Sequence, residues 1–201
     1  MTRDEDSADG AETEIDSWAW YRKDDSTGSY RLLEAGMMSL AGVIAAAQQG
    51  TGDERRPIDG VIGFSQGGSM AAMLAAAMEN SPDAGSRQPP PSDHGPDTLA
   101  WVQALRDANG GVPLKFAVSY SGFYATPPEL AWLYEPKLTT PTLHYIGSLD
   151  TVVDESRSQG LIDRCEDPAV VVHPGGHFVP ISKEWAMPLV GFIHKNASEK
   201  A

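Results

Sequence analysis

Apolar residues in this chain form short continuous runs that alternate with longer stretches in which apolar positions recur at helical spacing. The continuous runs predict buried strands, and the periodic stretches predict helices. Strands are predicted at residues 58–64, 114–120, 141–147 and 169–173. Helices are predicted at residues 30–49, 68–78, 98–109, 156–165 and 183–195. This alternation indicates an α/β fold with a mostly parallel sheet.

The first predicted strand leads directly into Gly63-Phe64-Ser65-Gln66-Gly67, which matches G-x-S-x-G between a strand and a helix. The motif describes a strained turn that holds a serine above the end of a sheet, where glycines avoid a Cβ clash. The N-terminus of the following helix brings N–H groups close to an oxyanion that develops during acyl transfer. We therefore predict that Ser65 is a nucleophile. An ordinary turn in which the serine caps a helix is the alternative.

A nucleophilic serine needs a base, and the base needs an acid that orients it. Asp150 follows the third predicted strand, and His177 lies in a glycine-rich loop after the fourth, which is the chain order of α/β-hydrolases. Active residues of open parallel sheets lie beyond the carboxyl ends of the strands, so Ser65, Asp150 and His177 are predicted to meet. Asp154 competes for the role of the acid, and Asp150 could instead cap the next helix.

The other histidines have simpler interpretations. His173 is the alternative to His177, but it lies at the strand end, before the glycines. His144 falls within a strand and is expected to be packed. His94, in a proline-rich loop, and His194, in the last helix, are expected at the surface.

Several segments resemble the fungal family of serine hydrolases, which includes yeast proteins, the human ovarian-cancer-associated hydrolase and hydrolases of fungal polyketide clusters. The segments that carry the resemblance are Gly63-Phe64-Ser65-Gln66-Gly67, residues 141–153, residues 173–180, the tryptophan-rich stretch 17–24 and residues 115–123. The resemblance runs from about residue 17 to residue 195.

This resemblance implies an α/β-hydrolase-type three-layer sandwich and the hydrolysis of a carboxylic ester or acyl thioester through an acyl-enzyme. Carried over position by position, it implies a catalytic triad of Ser65, Asp150 and His177. In an α/β-hydrolase the residue after the nucleophile, here Gln66, donates one N–H of the oxyanion hole. Fungal secondary metabolism is one setting that the resemblance suggests.

One part of the family pattern has no counterpart in the sequence. The family begins with a strand ending in Leu-His-Gly, a helix and a second strand, whereas residues 1–16 are polar and acidic. We therefore expect a sheet that is truncated at its N-terminal strands, with no second oxyanion donor and with strand 58–64 as an exposed apolar edge. A misplaced start codon, a gene fragment and a genuine short form are the alternatives. A catalytically weak or inactive hydrolase-like protein that acts as an interaction module is the rival function.

Composition bears mainly on partners and location. The 201 residues predict a hydrolase domain at 17–196, between a disordered acidic tail at 1–16 and a short tail at 197–201. The net charge of −13 argues against nucleic-acid and anionic-membrane partners. No cofactor-binding glycine motif and no metal-ligand spacing is present, so the expected partner is a small ester or acyl thioester, free or bound to a carrier protein. The sequence has one cysteine and lacks a signal-peptide core, and a cytoplasmic location is expected.

Three segments have open interpretations. Residues 81–97 are rich in proline and predict a surface loop. Residues 121–140 are either a cap over the site or an ordinary connecting segment; within them, the Ser121-Gly122-Phe123 turn could contact substrate. Trp18, Trp20 and Tyr21 could line an acyl pocket, but anchoring to the core is the favoured alternative.

Overall fold

The computed structural model describes residues 19–49, 56–79 and 100–198. Its elements in chain order are β1 (Arg22–Lys23), β2 (Tyr30–Arg31), α1 (Leu33–Gln49), β3 (Gly60–Phe64), α2 (Gln66–Met78), α3 (Ala100–Ala108), β4 (Phe116–Tyr120), a 3-10 helix (Pro128–Leu133), β5 (Thr142–Gly147), α4 (Glu155–Ile162), β6 (Ala169–His173) and α5 (Lys183–Ala197). The predicted acidic tail at 1–16, the predicted loop at 81–97, Trp18 and His94 lie outside the described residues.

Four strands form a parallel sheet in the order β3-β4-β5-β6. In the register of this sheet Phe64 lies beside Tyr120, and Tyr120 lies beside Tyr145. Further along, Gly147 lies beside His173. The strands therefore end at a common edge, which is where ligand sites of open parallel sheets form. The prediction of an α/β fold with a parallel sheet is confirmed.

Helices cover both faces of this sheet and make the three-layer sandwich that the resemblance implied. On one face α1, α2 and α3 form a core with side chains such as Met37, Met73 and Leu105. On the other face, Phe192 and its neighbours in α5 pack against Tyr145 and other residues of β4 and β5. Helix α2 is buried from residue 68 to residue 78, because its many alanines let it lie close to the sheet.

The predicted starts of α1 and α2 differ from the structure by two or three residues, and that of α4 by one. Helix α1 begins at Leu33 and not at residue 30, because Tyr30 and Arg31 pair with β1 in an antiparallel hairpin. The Tyr30 ring stacks on Tyr21 at 4.1 Å, and Leu32, at a φ of 67°, separates the hairpin from the helix. Helix α2 begins two residues earlier than predicted, at Gln66, directly after the turn.

Residues 121–140 are mainly a connecting segment. They contain the 3-10 helix, and Leu130, Leu133, Tyr134 and Leu138 are buried in the same core as α2. Side chains that are buried in this core cannot also cover an active site. The packing therefore favours the connecting-segment interpretation over the cap.

Strand β3 lies at one edge of the sheet, and β4 is its one partner among the described strands. The Ile62 side chain is 51% exposed and Phe64 is 38% exposed, although both belong to a strand next to the core. Within the described part of the chain, β3 is thus the apolar edge that the sequence predicted. Such an edge presents unpaired backbone groups to other strands.

Candidate active site

Ser65 occupies a sharp turn between β3 and α2. Its φ of 54° and ψ of −119° lie in a region that residues with a Cβ rarely adopt. The turn is fixed on both sides, because Ser65 donates its N–H to the Tyr120 carbonyl at 2.8 Å and accepts from Gly68 N–H at 2.9 Å. A Cβ at Gly63 would overlap the Gly67 carbonyl, so the first glycine of the motif is required by close approach of the chain. The strained turn that the motif predicted is present.

The three residues predicted to meet form one chain of hydrogen-bond distances, with His177 in the middle. His177 Nε2 is 2.9 Å from Ser65 Oγ, and His177 Nδ1 is 2.8 Å from Asp150 Oδ2. The His177 side chain is 18% exposed, whereas that of Asp150 is 2% exposed. A serine, a histidine and a buried carboxylate joined in this order have the geometry that nucleophilic catalysis by serine requires.

Two loops at the carboxyl ends of β5 and β6 bring Asp150 and His177 together. The Ser148 N–H donates to the His173 carbonyl at 2.9 Å, and the Leu149 N–H donates to the Gly175 carbonyl at 3.0 Å. These backbone bonds continue the pairing of the two strands into their loops. The separation of Asp150 and His177 is therefore set by the sheet as well as by their own contact.

The Asp150 carboxylate is held in its charged form. Burial of the carboxyl raises its pKa, but hydrogen bonds from the Val153 N–H, His177, the Val152 N–H and Ser121 outweigh burial and bring the pKa to about 2. The Val152 and Val153 N–H groups both donate to Oδ1 at 2.9 Å. Asp150 is therefore an anion throughout the neutral range and accepts from the imidazole.

The competitors for these roles have structural tasks. Asp154 is the N-cap of α4, where its carboxylate accepts from the Ser156 N–H at 2.9 Å. His173 is buried and packs against the Phe178 ring at 5.2 Å. His144 is buried, as predicted. Its Nε2 lies 3.6 Å from the Cys165 sulfur, and burial lowers its pKa to about 4.

Gln66 makes contacts that the sequence did not predict. It is the first residue of α2, so its backbone N–H has no acceptor within the helix. Its side-chain oxygen accepts from the Trp20 N–H at 2.8 Å, and its side-chain nitrogen donates to the Tyr21 carbonyl at 2.9 Å. The segment before α1 is thus fastened to the residue that follows Ser65.

Trp20 and Tyr21 divide the two interpretations of the tryptophan-rich stretch. Tyr21 is buried in the core and anchors the segment. Trp20 is 40% exposed and lines an open groove of about 560 Å³ together with Leu32, Ala35 and Gly36. A second groove of about 290 Å³ extends from Trp20 along the residues that flank Ser65. The anchor interpretation therefore holds for Tyr21, whereas Trp20 lines a groove whose occupant stays a prediction.

Phe64, at the first variable position of the motif, also belongs to the site. Its ring centroid lies 4.7 Å from that of His177. The aromatic side chain thus packs against the imidazole beside Ser65, a contact that the motif alone does not specify. Within the described ranges, no group of three or more His, Cys, Asp and Glu side chains is placed to hold a metal ion, and no helix combines the length and apolar character needed to cross a membrane.

The sheet, its helices and the turn that carries Ser65 define an α/β-hydrolase. The structure is similar to the crystal structure of acyl-protein thioesterase 2 from Zea mays, with a TM-score of 0.53 and 20% identity, over 90% of this chain and 73% of that chain. The chain belongs to the serine hydrolase (FSH1) family, which it matches over residues 1–189. The family resemblance seen in the sequence is thereby confirmed.

Two relatives are similar to part of this chain. The chain is 42% identical to a dihydrofolate reductase of Schizosaccharomyces pombe over 127 residues, which are 63% of this chain and 23% of that protein. It is 31% identical to esterase OVCA2 of Xenopus tropicalis over 127 residues, which are 63% of this chain and 44% of that protein. The chain thus matches less than half the length of either relative.

Proposed function

We propose that this chain is a serine hydrolase that cleaves a carboxylic ester or an acyl thioester, with Ser65 as nucleophile, His177 as general base and Asp150 as the orienting acid. The observation that carries the proposal is the continuous chain of hydrogen bonds from Ser65 Oγ through the His177 ring to the Asp150 carboxylate. Membership of the serine hydrolase family supports the same chemistry.

The reaction follows from this geometry. Ser65 Oγ forms a bond to the acyl carbon while its proton moves to His177 Nε2. The carbonyl oxygen becomes an oxyanion that accepts from the Gln66 N–H. The bond to the alcohol or thiol then breaks, and His177 returns the proton to the departing oxygen or sulfur. Water then attacks the acyl carbon while His177 takes one of its protons. The bond to Ser65 Oγ breaks, His177 returns the proton to Oγ, and the carboxylic acid is released.

The acyl group is proposed to lie in the groove beside Trp20. Trp20 is shared by the two grooves, and the second groove passes Gly63, Phe64 and Gly67, which flank the nucleophile. The largely apolar lining suits the hydrocarbon part of an ester or thioester better than a charged group. The relative named an esterase supports an ester substrate, and a thioester carried by a carrier protein in fungal secondary metabolism is the second option.

A second candidate function is a weak or inactive hydrolase-like protein that acts through binding. Two observations favour it: Gln66 is the one oxyanion donor that we can assign among the described residues, and β3 has a free side there. Loss of one oxyanion donor lowers the rate by about 10²–10³-fold. Rapid labelling of Ser65 without turnover of esters would favour this candidate.

The test is covalent labelling of the full chain with a fluorophosphonate, followed by assays on p-nitrophenyl esters of graded acyl length. We expect labelling at Ser65, and we expect Ser65→Ala and His177→Ala to abolish it. Ser198→Ala is the matched control, because this serine lies just after α5 and caps its last turn. Labelling that survives Ser65→Ala would contradict the proposal, and cleavage of peptides without esters would change the substrate class.

A further inference from the structure

We propose that the Ser121-Gly122-Phe123 turn fixes the distance between the nucleophile and the acid, and that Ser69 and Ser158 are positioning residues that act through it. The turn follows β4 and contacts α2, which begins directly after Ser65, and α4, which follows the loop of Asp150. The inference rests on the proposed function, because it assigns the turn a role in that same site.

The turn holds a backbone conformation that does not persist unaided. Ser121 has a φ of 46°, in the left-handed region, and is buried. Its N–H donates to the Tyr145 carbonyl at 2.9 Å, so the strained residue is also tied to β5. A side chain other than glycine remains in this region only when its surroundings determine the conformation.

The first of those surroundings is α2. Ser69, one turn after Ser65, is fully buried and forms two bonds with the same residue of the turn: its hydroxyl donates to the Phe123 carbonyl at 2.6 Å and accepts from the Phe123 N–H at 3.0 Å. Gly122 also touches the helix, since a Cβ there would lie 2.9 Å from the Gly68 carbonyl carbon and would overlap the Ser119 hydroxyl. The turn therefore follows any displacement of the helix that carries the nucleophile.

The second is α4, which begins just after the Asp150 loop. The buried Ser158 hydroxyl donates to the Gly122 carbonyl at 2.8 Å. The Arg157 guanidinium lies over the Phe123 ring, 4.1 Å from its centroid. Two neighbouring residues of α4 thus hold two residues of the turn, in addition to the contacts made by Ser69.

The turn also contacts the elements on both sides of the Asp150 loop. Two donors to the Asp150 carboxylate, the N–H groups of Val152 and Val153, belong to that loop and move with it. The turn is bonded to β5, which precedes the loop, through the Ser121 N–H and the Tyr145 carbonyl, and to α4, which follows it, through Ser158. Displacement of the turn therefore changes where the carboxylate lies relative to Ser65, and about 1 Å of misplacement lowers a rate by as much as 10²-fold.

The test compares three buried hydroxyls in the full chain. Ser69→Ala and Ser158→Ala remove bonds to the turn. Thr140→Ala removes a buried hydroxyl that donates to Glu79 Oε1 at 2.8 Å, just before β5 and therefore at the opposite end of the sheet from the site. We measure the fluorophosphonate labelling rate of Ser65, kcat and KM for a p-nitrophenyl ester, and Tm for each variant.

We expect Ser69→Ala and Ser158→Ala to lower the labelling rate and kcat by about 10-fold or more with KM changed less than about twofold. Thr140→Ala should lower Tm by a similar amount and change the labelling rate less than about twofold. In an Asp150→Asn background, Ser69→Ala should have almost no further effect, because residues that act through one another are not additive.

Equal loss of labelling in all three variants, or full retention of the Ser69→Ala effect in the Asp150→Asn background, would overturn the positioning role. If Ser69→Ala does not fold, Ser158→Ala decides by the same criteria. A parent chain that is not labelled at Ser65 would overturn the proposed function, and the positioning role with it. That outcome is distinct, because it appears before any variant is compared.

Discussion

Asp150 and Asp154 show how position decides the task of a residue. Both carboxylates accept backbone N–H groups two residues further along the chain. Only Asp150 also accepts from His177, because the loops after β5 and β6 are joined by backbone bonds. Asp154 instead ends the loop and caps α4. A sequence pattern of two aspartates cannot separate these tasks, since the deciding contact comes from a distant loop.

The matched pair Asp150→Asn and Asp154→Asn separates them by experiment. Asp150→Asn should lower kcat/KM by about 10⁴-fold, because an amide no longer favours the imidazole tautomer that accepts the proton of Ser65. Asp154→Asn should change kcat/KM and Tm little, since asparagine caps helices about as well as aspartate. Steady-state kinetics on a p-nitrophenyl ester and thermal unfolding measure both. A larger kinetic loss in Asp154→Asn would transfer the acid role to Asp154.

His144 makes stability depend on pH. Burial lowers its pKa from 6.5 to about 4. Between these values the unfolded chain binds a proton that the folded chain does not. The free energy of unfolding should therefore fall as pH falls from 6.5 to 4, by up to about 3 kcal/mol.

Urea unfolding of His144→Gln across this range tests that dependence. Its curve should be flatter than that of the parent, whereas His194→Gln, at an exposed position of α5, should reproduce the parent curve. A slope that remains in His144→Gln is expected from His173, whose pKa is also lowered by burial. Identical curves for the parent and His144→Gln would contradict the assignment.

At the scale of elements, the turn between β3 and α2 tolerates little change. Gly63→Ala should destabilise the chain by several kcal/mol and abolish labelling of Ser65, because the new methyl group overlaps the Gly67 carbonyl. Gly191→Ala is the control: nothing lies within 4 Å of the added Cβ, and alanine favours the interior of α5 by up to about 1 kcal/mol. Thermal unfolding and probe labelling report both effects, and an active, stable Gly63→Ala variant would contradict this account of the elbow.

The elements that could be predicted from the sequence are those determined by local pattern. Four apolar runs gave four strands, and the G-x-S-x-G motif located the turn, because both depend on neighbouring residues. The predicted start of α1 at residue 30 was wrong, because Tyr30 pairs with Lys23 across a hairpin. The hydrogen bond between Gln66 and Trp20 joins residues 46 positions apart in the sequence, and that between Ser69 and Phe123 joins residues 54 positions apart. Contacts of this kind depend on the tertiary fold, and no periodicity reports them.

At the scale of the whole molecule, the site lies on the same strand, β3, whose side opposite β4 has no partner among the described strands. Phe64 is both the residue against His177 and an exposed residue of the edge strand. Any strand that pairs with β3 would therefore lie next to the groove beside Ser65. We therefore expect association of copies through this edge to obstruct the groove, so labelling of Ser65 should fall as the concentration of the chain rises.

Ile62→Lys tests whether the free side of β3 causes that association. A lysine on an edge strand opposes pairing with another strand, so the variant should remain monomeric at concentrations at which the parent self-associates. Val43→Lys is the control, because it adds the same charge at an exposed apolar position of α1 and reduces the net charge of −13 equally. Sedimentation velocity over a concentration series measures the difference. If the two variants self-associate to the same extent, the added positive charge alone explains the loss of association. A parent that is monomeric throughout, with a lowered Tm in Ile62→Lys, would show that the side of β3 opposite β4 is covered in solution.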